Sequence, residues 1–578
     1  MKSQLLLSLL LLATPLAAED SIRETGDFFV DPPTLESLGF RWYLYGDDDG
    51  DATGELTFRQ TGEEIWRQAL PMRRVNREVV NWDYHPYACE NLLAGSVLYL
   101  EPDTEYEVRC RLADPDGGEA DTTVVVRTRA APEYPAPQRT LHVYQPGHKE
   151  ARKPKPRIYT SLNQAFSHLQ PGDELLIHAG VHFTKGDSLT VDRSGTADAP
   201  IVIRAAGDGK SFVDGNGGRA IFDIRNTDHL FFENLIVRNG NIAFRADGAS
   251  HLTVRRCTIV DVRTGLYSYS EHSTNWYIAD NVITGRNAEW YPRESDPPSH
   301  TGVNLYGRGH VVCHNRISRF WDGIAIANYG KPLSDLSLQA VAIDFYNNDL
   351  SEFVDDAIET DYGCHNVRIY GNRIRNTHAG LSAQPTYGGP IYLIRNQVYN
   401  ATALPLKLHN WCTGLEIYHN SLVSAGQAFQ SYPRWQNATL RNNLFLGASR
   451  YAVETGSPHP RTSLDFNGYR RTDDPEGRFI KWIIGDQEAR YAALDEFAAA
   501  TGLEAHGVEI DFDIFAKVEP PEAGKTYDSV DLALRPGTAA IDAGQPLPNI
   551  NDTFAGNGPD LGCCEAGSAI PHYGPRTD

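Results

Sequence analysis

The chain is short of the features that define several large protein classes. Only 8 of its 578 residues are cysteine, too few for a disulfide-built scaffold of this length, although Cys89 and Cys110 are one candidate pair. Positive charge is also scarce, because 53 lysines and arginines face 75 aspartates and glutamates, for a formal net charge of −22. This deficit argues against nucleic acid as a partner. It also argues against a polyanionic substrate, unless a local basic patch or a bound cation offsets the field.

Long apolar runs are missing beyond the first residues. Residues 1–18 combine Lys2, the run LLLSLLLLA and the small residues Ala17 and Ala18, which is typical of a secretory signal and too short to span a bilayer. The sequence therefore predicts an exported protein, secreted or periplasmic, without a membrane span. It also lacks a phosphate-binding loop, a zinc-type cluster of histidine and cysteine, and a nucleophile-elbow motif.

Asparagine recurs at regular intervals through the middle of the chain. It lies in the strings DNVI, HNRI, NNDL, GNRI, RNQV, HNSL and NNLF. The residues are Asn281, Asn315, Asn348, Asn372, Asn396, Asn420 and Asn443. Their spacings are 34, 33, 24, 24, 24 and 23 residues. A period in the low twenties with β-rich repeats predicts a solenoid, in which stacked amides hydrogen-bond from turn to turn.

Residues 19–133 form a first unit with alternating, strand-like runs, and the string APEYPAPQ that follows is typical of a linker. Leu100, Pro102, Thr104 and Tyr106 resemble the L-x-P-x-T-x-Y signature of fibronectin type III modules. The resemblance implies a β-sandwich in which the tyrosine hydroxyl caps a corner by a hydrogen bond. The string DPDGG predicts a hairpin turn within this unit.

The sequence changes character from about residue 140. RIYTSLNQAFSHLQPGDELLIHAGVHFT predicts a short helix and then strands. This pattern, followed by TADAPIVIRAAG and FVDGNGG, resembles the N-terminal caps of secreted right-handed parallel β-helix proteins, among them polysaccharide lyases of the chondroitinase B and alginate lyase kind. The resemblance implies an all-β chain in which a right-handed parallel β-helix over 140–578 follows the sandwich. A capping region is expected at about 467–578, where WIIGDQEARYAALDEFAAATG predicts an amphipathic helix.

Each repeat has a strand that opens with a small residue, Asp or Pro, and side chains alternate across a strand. The inward positions are mostly apolar, as Val303/Leu305 and Ile324/Ile326 illustrate. The outward positions are Tyr267/Tyr269, Asn304/Tyr306, Ala325/Ala327, Glu359/Asp361, Ser382/Gln384, Lys407/His409 and Gln430/Tyr432. Carboxylates, an ammonium, an imidazole and amides, bordered by tyrosines, predict a catalytic or sugar-binding face.

The first chemistry that fits this face is β-elimination of a uronate-containing polysaccharide. It needs a base for the C5 proton, an acid for the leaving oxygen and neutralisation of the uronate carboxylate. The chondroitinase B resemblance implies a lysine base and a carboxylate-bound calcium, although the lysine and arginine spacing of that family is missing here. Lys407 is the base only if its pKa is depressed; otherwise His409 takes that role and Lys407 holds a carboxylate. Glu359 and Asp361 are candidate Ca²⁺ ligands, because hard cations take oxygen.

The second chemistry is hydrolysis by paired carboxylates. A second set of residues resembles the NTD, DD, GHG and RIK strings that polygalacturonases carry on successive turns. In that order, the matching residues are Asp322, the pair Asp355 and Asp356, His378 and Lys407. A third class, a non-catalytic carbohydrate-binding or adhesion protein, has the same composition and stays open.

The two chemistries share a set of candidate residues. The candidate catalytic residues are Asp356, Glu359, Asp361, Lys407 and His409. The candidate substrate-binding residues are Asn304, Tyr306, Gln384, Trp411, Tyr432 and Arg434. Tyr387 and Trp435 are further aromatic residues that could stack on sugar rings. The sequence thus predicts a polysaccharide partner, and we expect the protein to be a monomer.

Overall fold

The computed structural model describes residues 19–577 except 83–84, 153–154, 328–329, 331 and 473–475. The predicted signal segment, residues 1–18, lies outside the described residues. Helix is confined to short segments in the described part of the chain, where no helix is long and apolar enough to cross a membrane. The helical segments are Lys149–Ala151, Leu162–Phe166, Leu336–Leu338, Leu494–Thr501 and Phe512–Ile514.

The first unit is a sandwich of two antiparallel sheets. In spatial order the strands of one sheet are Ile22–Val30, Leu38–Gly46, Asn91–Val97 and Arg73–Asn76. Those of the other are Glu119–Arg127, Glu105–Ala113, Thr53–Gln60 and Arg67–Gln68. Val79–Trp82 and His85–Ala88 pair as a separate hairpin. The DPDGG turn joins two neighbouring strands, as expected. The hydroxyl of Tyr106 accepts a hydrogen bond from the backbone N–H of Glu101 at 3.0 Å, the corner contact that the tyrosine motif predicts.

Cys89 and Cys110 belong to different hydrophobic cores. Cys110 packs with Phe40, Leu56 and Val108 between the two sheets of the sandwich. Cys89 packs into the core of the second unit. Both are free thiols, so the candidate disulfide between them is wrong: Cys110 faces the interior of the sandwich, whereas Cys89 packs against the second unit.

The second unit is a parallel β-helix. Within the described residues, its two long sheets have 14 and 16 strands, and their neighbouring strands are parallel. The 14-stranded sheet consists of Arg139–Val143, Ile158–Tyr159, Asp173–Ile177, Ile201–Ala205, Asp228–Glu233, Ser250–Arg255, Tyr277–Ala279, Val311–Cys313, Val341–Tyr346, His365–Tyr370, Ile391–Ile394, Cys412–Tyr418, Trp435–Arg441 and Ser463–Asp465. The other consists of Gly180–Phe183, Ser188–Val191, Ser211–Arg225, Ile236–Asp247, Thr258–Tyr267, Val282–Gly285, Thr301–Leu305, Arg316–Phe320, Asp322–Ile326, Asp349–Glu359, Arg373–Ala383, Gln397–Leu408, Ser421–Ser424, Leu444–Gly447, Gly468–Arg470 and Val508–Ile510.

The asparagines form one buried column, which confirms the repeat. The Nδ2 of Asn372 donates to the Oδ1 of Asn396 at 3.0 Å, and the same oxygen accepts the backbone N–H of Asn372 at 3.1 Å. The same pair of bonds links every neighbouring pair from Asn281 to Asn467. The column ends on Glu504, whose carboxyl accepts the Nδ2 of Asn467 at 2.7 Å. Each amide thus satisfies buried backbone groups at its turn.

The capping region departs from the predicted helix. Ile480–Ile484 and Gln487–Tyr491 pair as an antiparallel hairpin, and helix occupies only Leu494–Thr501. Gly485, at φ 59°, allows the tight turn between the strands. Phe429–Gln430 and Val453–Thr455 continue this small sheet.

The sandwich is fixed to the β-helix through buried polar contacts. Arg368 and Asp344, both fully buried on the β-helix, form an ion pair at 2.5 Å, and Arg368 also donates to the hydroxyl of Ser96 in the sandwich at 3.2 Å. Arg73 of the sandwich forms an ion pair with Glu416 of the β-helix. Because such groups are costly to expose or leave unpaired, these contacts hold the two units in one arrangement.

Candidate active site

The outward positions predicted from the sequence lie in one register column. Strand pairing aligns, rung by rung, Tyr267, Asn304, Ala325, Glu359, Ser382 and Lys407. Glycines open two of these strands because the turns stack too closely for a side chain. A Cβ on Gly302 would lie 2.7 Å from the carbonyl oxygen of Gly323, and one on Gly323 would lie 2.3 Å from that of Ala357.

The second predicted column holds only in part. Tyr306 and Ala327 were expected to face outward, but both are about 3% exposed and pack in the core. Their strands end at Leu305 and Ile326, so the alternation that the prediction extrapolated no longer applies there. Tyr306 therefore offers no surface to a substrate.

Lys407 lies at the centre of a group of carboxyls. Its Nζ lies 2.6 Å from Oδ2 of Asp356, two rungs away, and it can reach across because the intervening rung carries the small Ala379 and Ser382. Asp356 is fully buried, and its N–H donates to Oδ1 of Asp322 at 3.3 Å. Carboxylate oxygens of Asp322, Asp355 and Asp356 lie within 4.8 Å of one another.

Asp361 and Glu359 complete this group, which we call the carboxyl cluster: Asp322, Asp355, Asp356, Glu359 and Asp361. Oδ1 of Asp361 accepts the N–H of Gln384 at 2.8 Å and the hydroxyl of Ser382 at 3.2 Å. Glu359 is half-buried beside them. Both residues thus lie where the outward pattern places them.

Arg293 is a member of the site that sequence reasoning missed. It comes from the insertion near 286–300, and its guanidinium lies 2.5 Å from Oδ2 of Asp355 and stacks over the ring of Trp321 at 4.9 Å. The long spacing between Asn281 and Asn315 indicates a loop at this edge, but strand periodicity carries no information on where a loop residue points.

If all five carboxyls were ionised, the carboxyl cluster would carry more negative charge than Lys407 and Arg293 offset. Burial raises the pKa of Asp361 to about 8, and burial followed by repulsion from Asp356 raises the pKa of Asp355 to about 6. Burial also raises the pKa of Glu359 well above its usual range, with further repulsion from Asp322. Burial alone would lower the pKa of Lys407, but attraction by Asp356 and the other carboxylates outweighs it and the pKa is raised. Lys407 is therefore protonated at neutral pH.

One buried oxygen in the cluster lacks a hydrogen-bond donor. Oδ1 of Asp356 is buried and receives no hydrogen bond. Protonated Glu359, which hydrogen-bonds Asp356, can supply the missing donor. A hard cation held by Asp322, Asp355 and Asp356 would satisfy the same oxygen, and three carboxylates are a donor set that suits Ca²⁺. The cation ligands expected from the sequence, Glu359 and Asp361, lie beside this set.

His409 occupies the cleft next to the cluster as a neutral imidazole. Burial, followed by repulsion from Lys407, lowers its pKa to about 4. Its Nδ1 lies 2.8 Å from Oε1 of Gln384, an acceptor, so Nδ1 carries the proton and Nε2 keeps a free lone pair. The ring lies 4.6 Å from that of Tyr432.

The cleft beside His409 has a volume of about 370 Å³ and is lined by Gln430 and Tyr432, among others. Tyr432 is 65% exposed and Arg434 is also exposed, so both can meet a ligand, while Trp411 and Gln384 are half-buried.

Three other proposed ligand contacts are much less accessible. Asn304 is 6% exposed and hydrogen-bonds Tyr269. Trp435 and Tyr387 are buried in the core at 0% and 3% exposure, which removes them as stacking surfaces. His378 is half-buried near Arg293 and Lys407, and burial lowers its pKa.

Comparison with known proteins gives one family match. Residues 158–284 match the chondroitinase B family, a segment that ends before Asp322 and so excludes the carboxyl cluster. No curated protein matches the chain.

Two solved structures are similar to the chain at low identity. The family 28 exopolygalacturonase of Yersinia enterocolitica has 11% identity and a TM-score of 0.26, covering 80% of this chain and 97% of its own. The alginate lyase from Paenibacillus sp. str. FPU-7 has 15% identity and a TM-score of 0.29, covering 59% of this chain and 97% of its own. Similarity at this level transfers no activity.

Proposed function

We propose that the protein is a polysaccharide lyase that cleaves a uronate-containing glycan by β-elimination on the face between the carboxyl cluster and Tyr432. The observation that carries this proposal is the neutral, oriented His409 beside protonated carboxyls and the cationic side chains of Lys407 and Arg434. The chondroitinase B match over residues 158–284 supports an activity on polysaccharides.

His409 is the proposed base. A base for the C5 proton needs an unprotonated nitrogen at the working pH, and the free Nε2 of His409 meets that need while the bond to Gln384 holds the ring. Lys407 fails it, because the carboxylates around it raise its pKa. Lys407 instead binds: its ammonium pairs with Asp356 and can attract the uronate carboxylate.

Asp361 is the proposed acid. Its pKa of about 8 keeps a proton on the carboxyl at neutral pH, and this proton can pass to the leaving oxygen as the glycosidic bond breaks. Asp361 and His409 lie two rungs apart on the same column, roughly 10 Å at the backbone. A sugar ring that lies across the rungs can span this separation, and it must meet Asp361 at the small part of that side chain that is exposed, 6%.

The uronate carboxylate must be neutralised for its C5 proton to become acidic. Arg434 is exposed and close enough to His409 to lower the imidazole's pKa, so it is placed to pair with this carboxylate. If Asp322, Asp355 and Asp356 hold Ca²⁺, the ion would supply further neutralisation. The proton balance of the cluster would then also change, because a cation replaces the proton on Glu359.

Hydrolysis is the second candidate, favoured by the raised pKa values of the carboxyls, which suit a general acid. The spacing weighs against inversion only. Oxygens of Asp322, Asp355 and Asp356 lie within 4.8 Å of one another, whereas inversion leaves room for a water between carboxyls roughly 6.5–9.5 Å apart and retention uses carboxyls roughly 5–5.5 Å apart.

The product distinguishes the two reactions. Incubation with a panel of acidic and neutral glycans should give ultraviolet absorbance from unsaturated uronates if the reaction is elimination. New reducing ends without that absorbance would instead establish hydrolysis, and neither signal would favour a binding protein. Repeating the reaction after thorough chelation tests the cation: activity that falls and returns with Ca²⁺ places the ion in the mechanism, and unchanged activity excludes it.

A further inference from the structure

Two adjacent cysteines lie outside the catalytic face. The Sγ atoms of Cys563 and Cys564 are 3.1 Å apart. Cys563 is 5% exposed and Cys564 is half-buried. The remaining six cysteines are single buried thiols, so this pair is chemically distinct among the cysteines of the chain.

Polar groups of the β-helix surround the pair. The hydroxyl of Ser421 accepts the N–H of Cys563 at 3.1 Å, and Nε2 of Gln397 donates to Sγ of Cys564 at 3.5 Å. Burial alone would raise the pKa of Cys563, but hydrogen bonds from Cys564 and Ser421 and the charge of Arg395 outweigh it and the pKa is lowered. The thiolate is the reactive form of cysteine, so the buried partner of the pair is the readier nucleophile.

We propose that Cys563 and Cys564 form a vicinal disulfide under oxidising conditions. A small disulfide such as oxidised glutathione can reach the half-buried Cys564 and form a mixed disulfide, releasing one thiol that carries away the Cys564 proton. The Cys563 thiolate then attacks Sγ of Cys564 and displaces the second thiol. Two protein thiols are thereby oxidised, and one small disulfide is reduced to two thiols.

The bond would lock the backbone at residues 563–564, from which the C-terminal segment runs on along the β-helix, without adding a cross-link to the β-helix. The N–H of Gly562 donates to the carbonyl of Asn442 at 2.7 Å, that of Gly574 donates to the carbonyl of Asn347 at 2.9 Å, and Arg576 forms an ion pair with Asp280 at 2.6 Å. Residues 562–576 thus run along the flank of the β-helix, back across the rungs. Adjacent Cα atoms are about 3.8 Å apart, less than the usual span of roughly 4.4–6.8 Å, so the bond should be easily reduced.

Thiol mapping of the full-length protein tests the proposal. The protein is equilibrated with oxidised glutathione, denatured, alkylated with iodoacetamide and digested. We expect the peptide with Cys563 and Cys564 to be unalkylated and lighter by two hydrogen atoms, and doubly alkylated after prior reduction. The other six thiols should be alkylated in both samples. Alkylation of both residues after oxidation, or their recovery joined to glutathione or to another cysteine, would overturn the proposal.

A second measurement tests the lock itself. Mild reduction should increase hydrogen exchange in residues 565–577 of the oxidised wild-type protein. The matched variant Cys564→Ser cannot form the bond, so its exchange should be equally high with and without reductant. Equal exchange in oxidised and reduced wild-type protein would refute the locking role. The outcome is independent of the proposed lyase activity, because neither cysteine lines the catalytic cleft.

Discussion

Replacing His409 with Ala is the sharpest test of the proposed reaction. A positioned general base contributes typically 10²–10⁴-fold to turnover, which corresponds to about 2.7–5.4 kcal/mol of transition-state stabilisation at 1.36 kcal/mol per tenfold. The ring makes one side-chain hydrogen bond, to Gln384, and stands against the exposed ring of Tyr432. We therefore expect His409→Ala to fold normally and to lose turnover within that range, with a KM that changes little.

The assay is the initial rate of unsaturated-uronate absorbance at saturating substrate, with circular dichroism to confirm folding. Gln384→Ala is the matched variant: it keeps the imidazole but removes the acceptor that fixes the Nδ1 proton, so its loss should be smaller. His378→Ala distinguishes the two hypotheses, because the polygalacturonase-like hypothesis needs His378 and not His409. A folded His409→Ala variant with wild-type turnover, together with an inactive His378→Ala variant, would refute the assignment of the base.

Three further outcomes follow from the same geometry. Lys407→Met leaves the buried Asp356 without its partner and should lower the free energy of unfolding by about 3 kcal/mol or more. Adding Asp356→Asn should restore most of that free energy. A urea midpoint that does not recover in the double variant would contradict the pairing. Activity should fall below pH about 4, where His409 becomes charged, and above pH about 8, where Asp361 loses its proton. If the pH above which activity falls is the same in Asp361→Asn as in the wild type, Asp361 is not the acid. Asn396→Ala leaves several buried groups without partners and should lower the free energy of unfolding by about 3–5 kcal/mol. The measurement is the melting temperature, and the control is the same substitution at an exposed asparagine.

The β-helix and its outward face could be read from the sequence because both depend on strict repetition. An asparagine that returns once per turn, at 23 or 24 residues or at 33 or 34 where a loop is inserted, fixes the column, and period-two alternation then fixes which residues face out. The pairing of Glu359 with Ser382 and of Ser382 with Lys407 confirms that register. The prediction stopped one rung early: Asn467 continues the column, and its buried cap, Glu504, follows no repeat.

The composition of the site was harder to predict because it depends on bends and loops. Tyr306 turns into the core once its strand ends, a change that alternation cannot signal. Arg293 reaches Asp355 from an insertion with no period at all. The charge state of Lys407 was also out of reach, because its raised pKa results from carboxyls on different turns that only the folded chain brings together. The fibronectin-like assignment of the sandwich stays a prediction.

The contacts between the sandwich and the β-helix bear on how this protein can be dissected. Accessory modules are commonly studied by deleting them or moving them to another host. Here, a chain that starts after residue 133 would leave Glu416 without Arg73 and would open the pair of Arg368 and Asp344 to water. We expect such a truncation to destabilise the β-helix itself, so any drop in activity would say little about what the sandwich recognises. Point substitutions on its outer surface are the informative alternative.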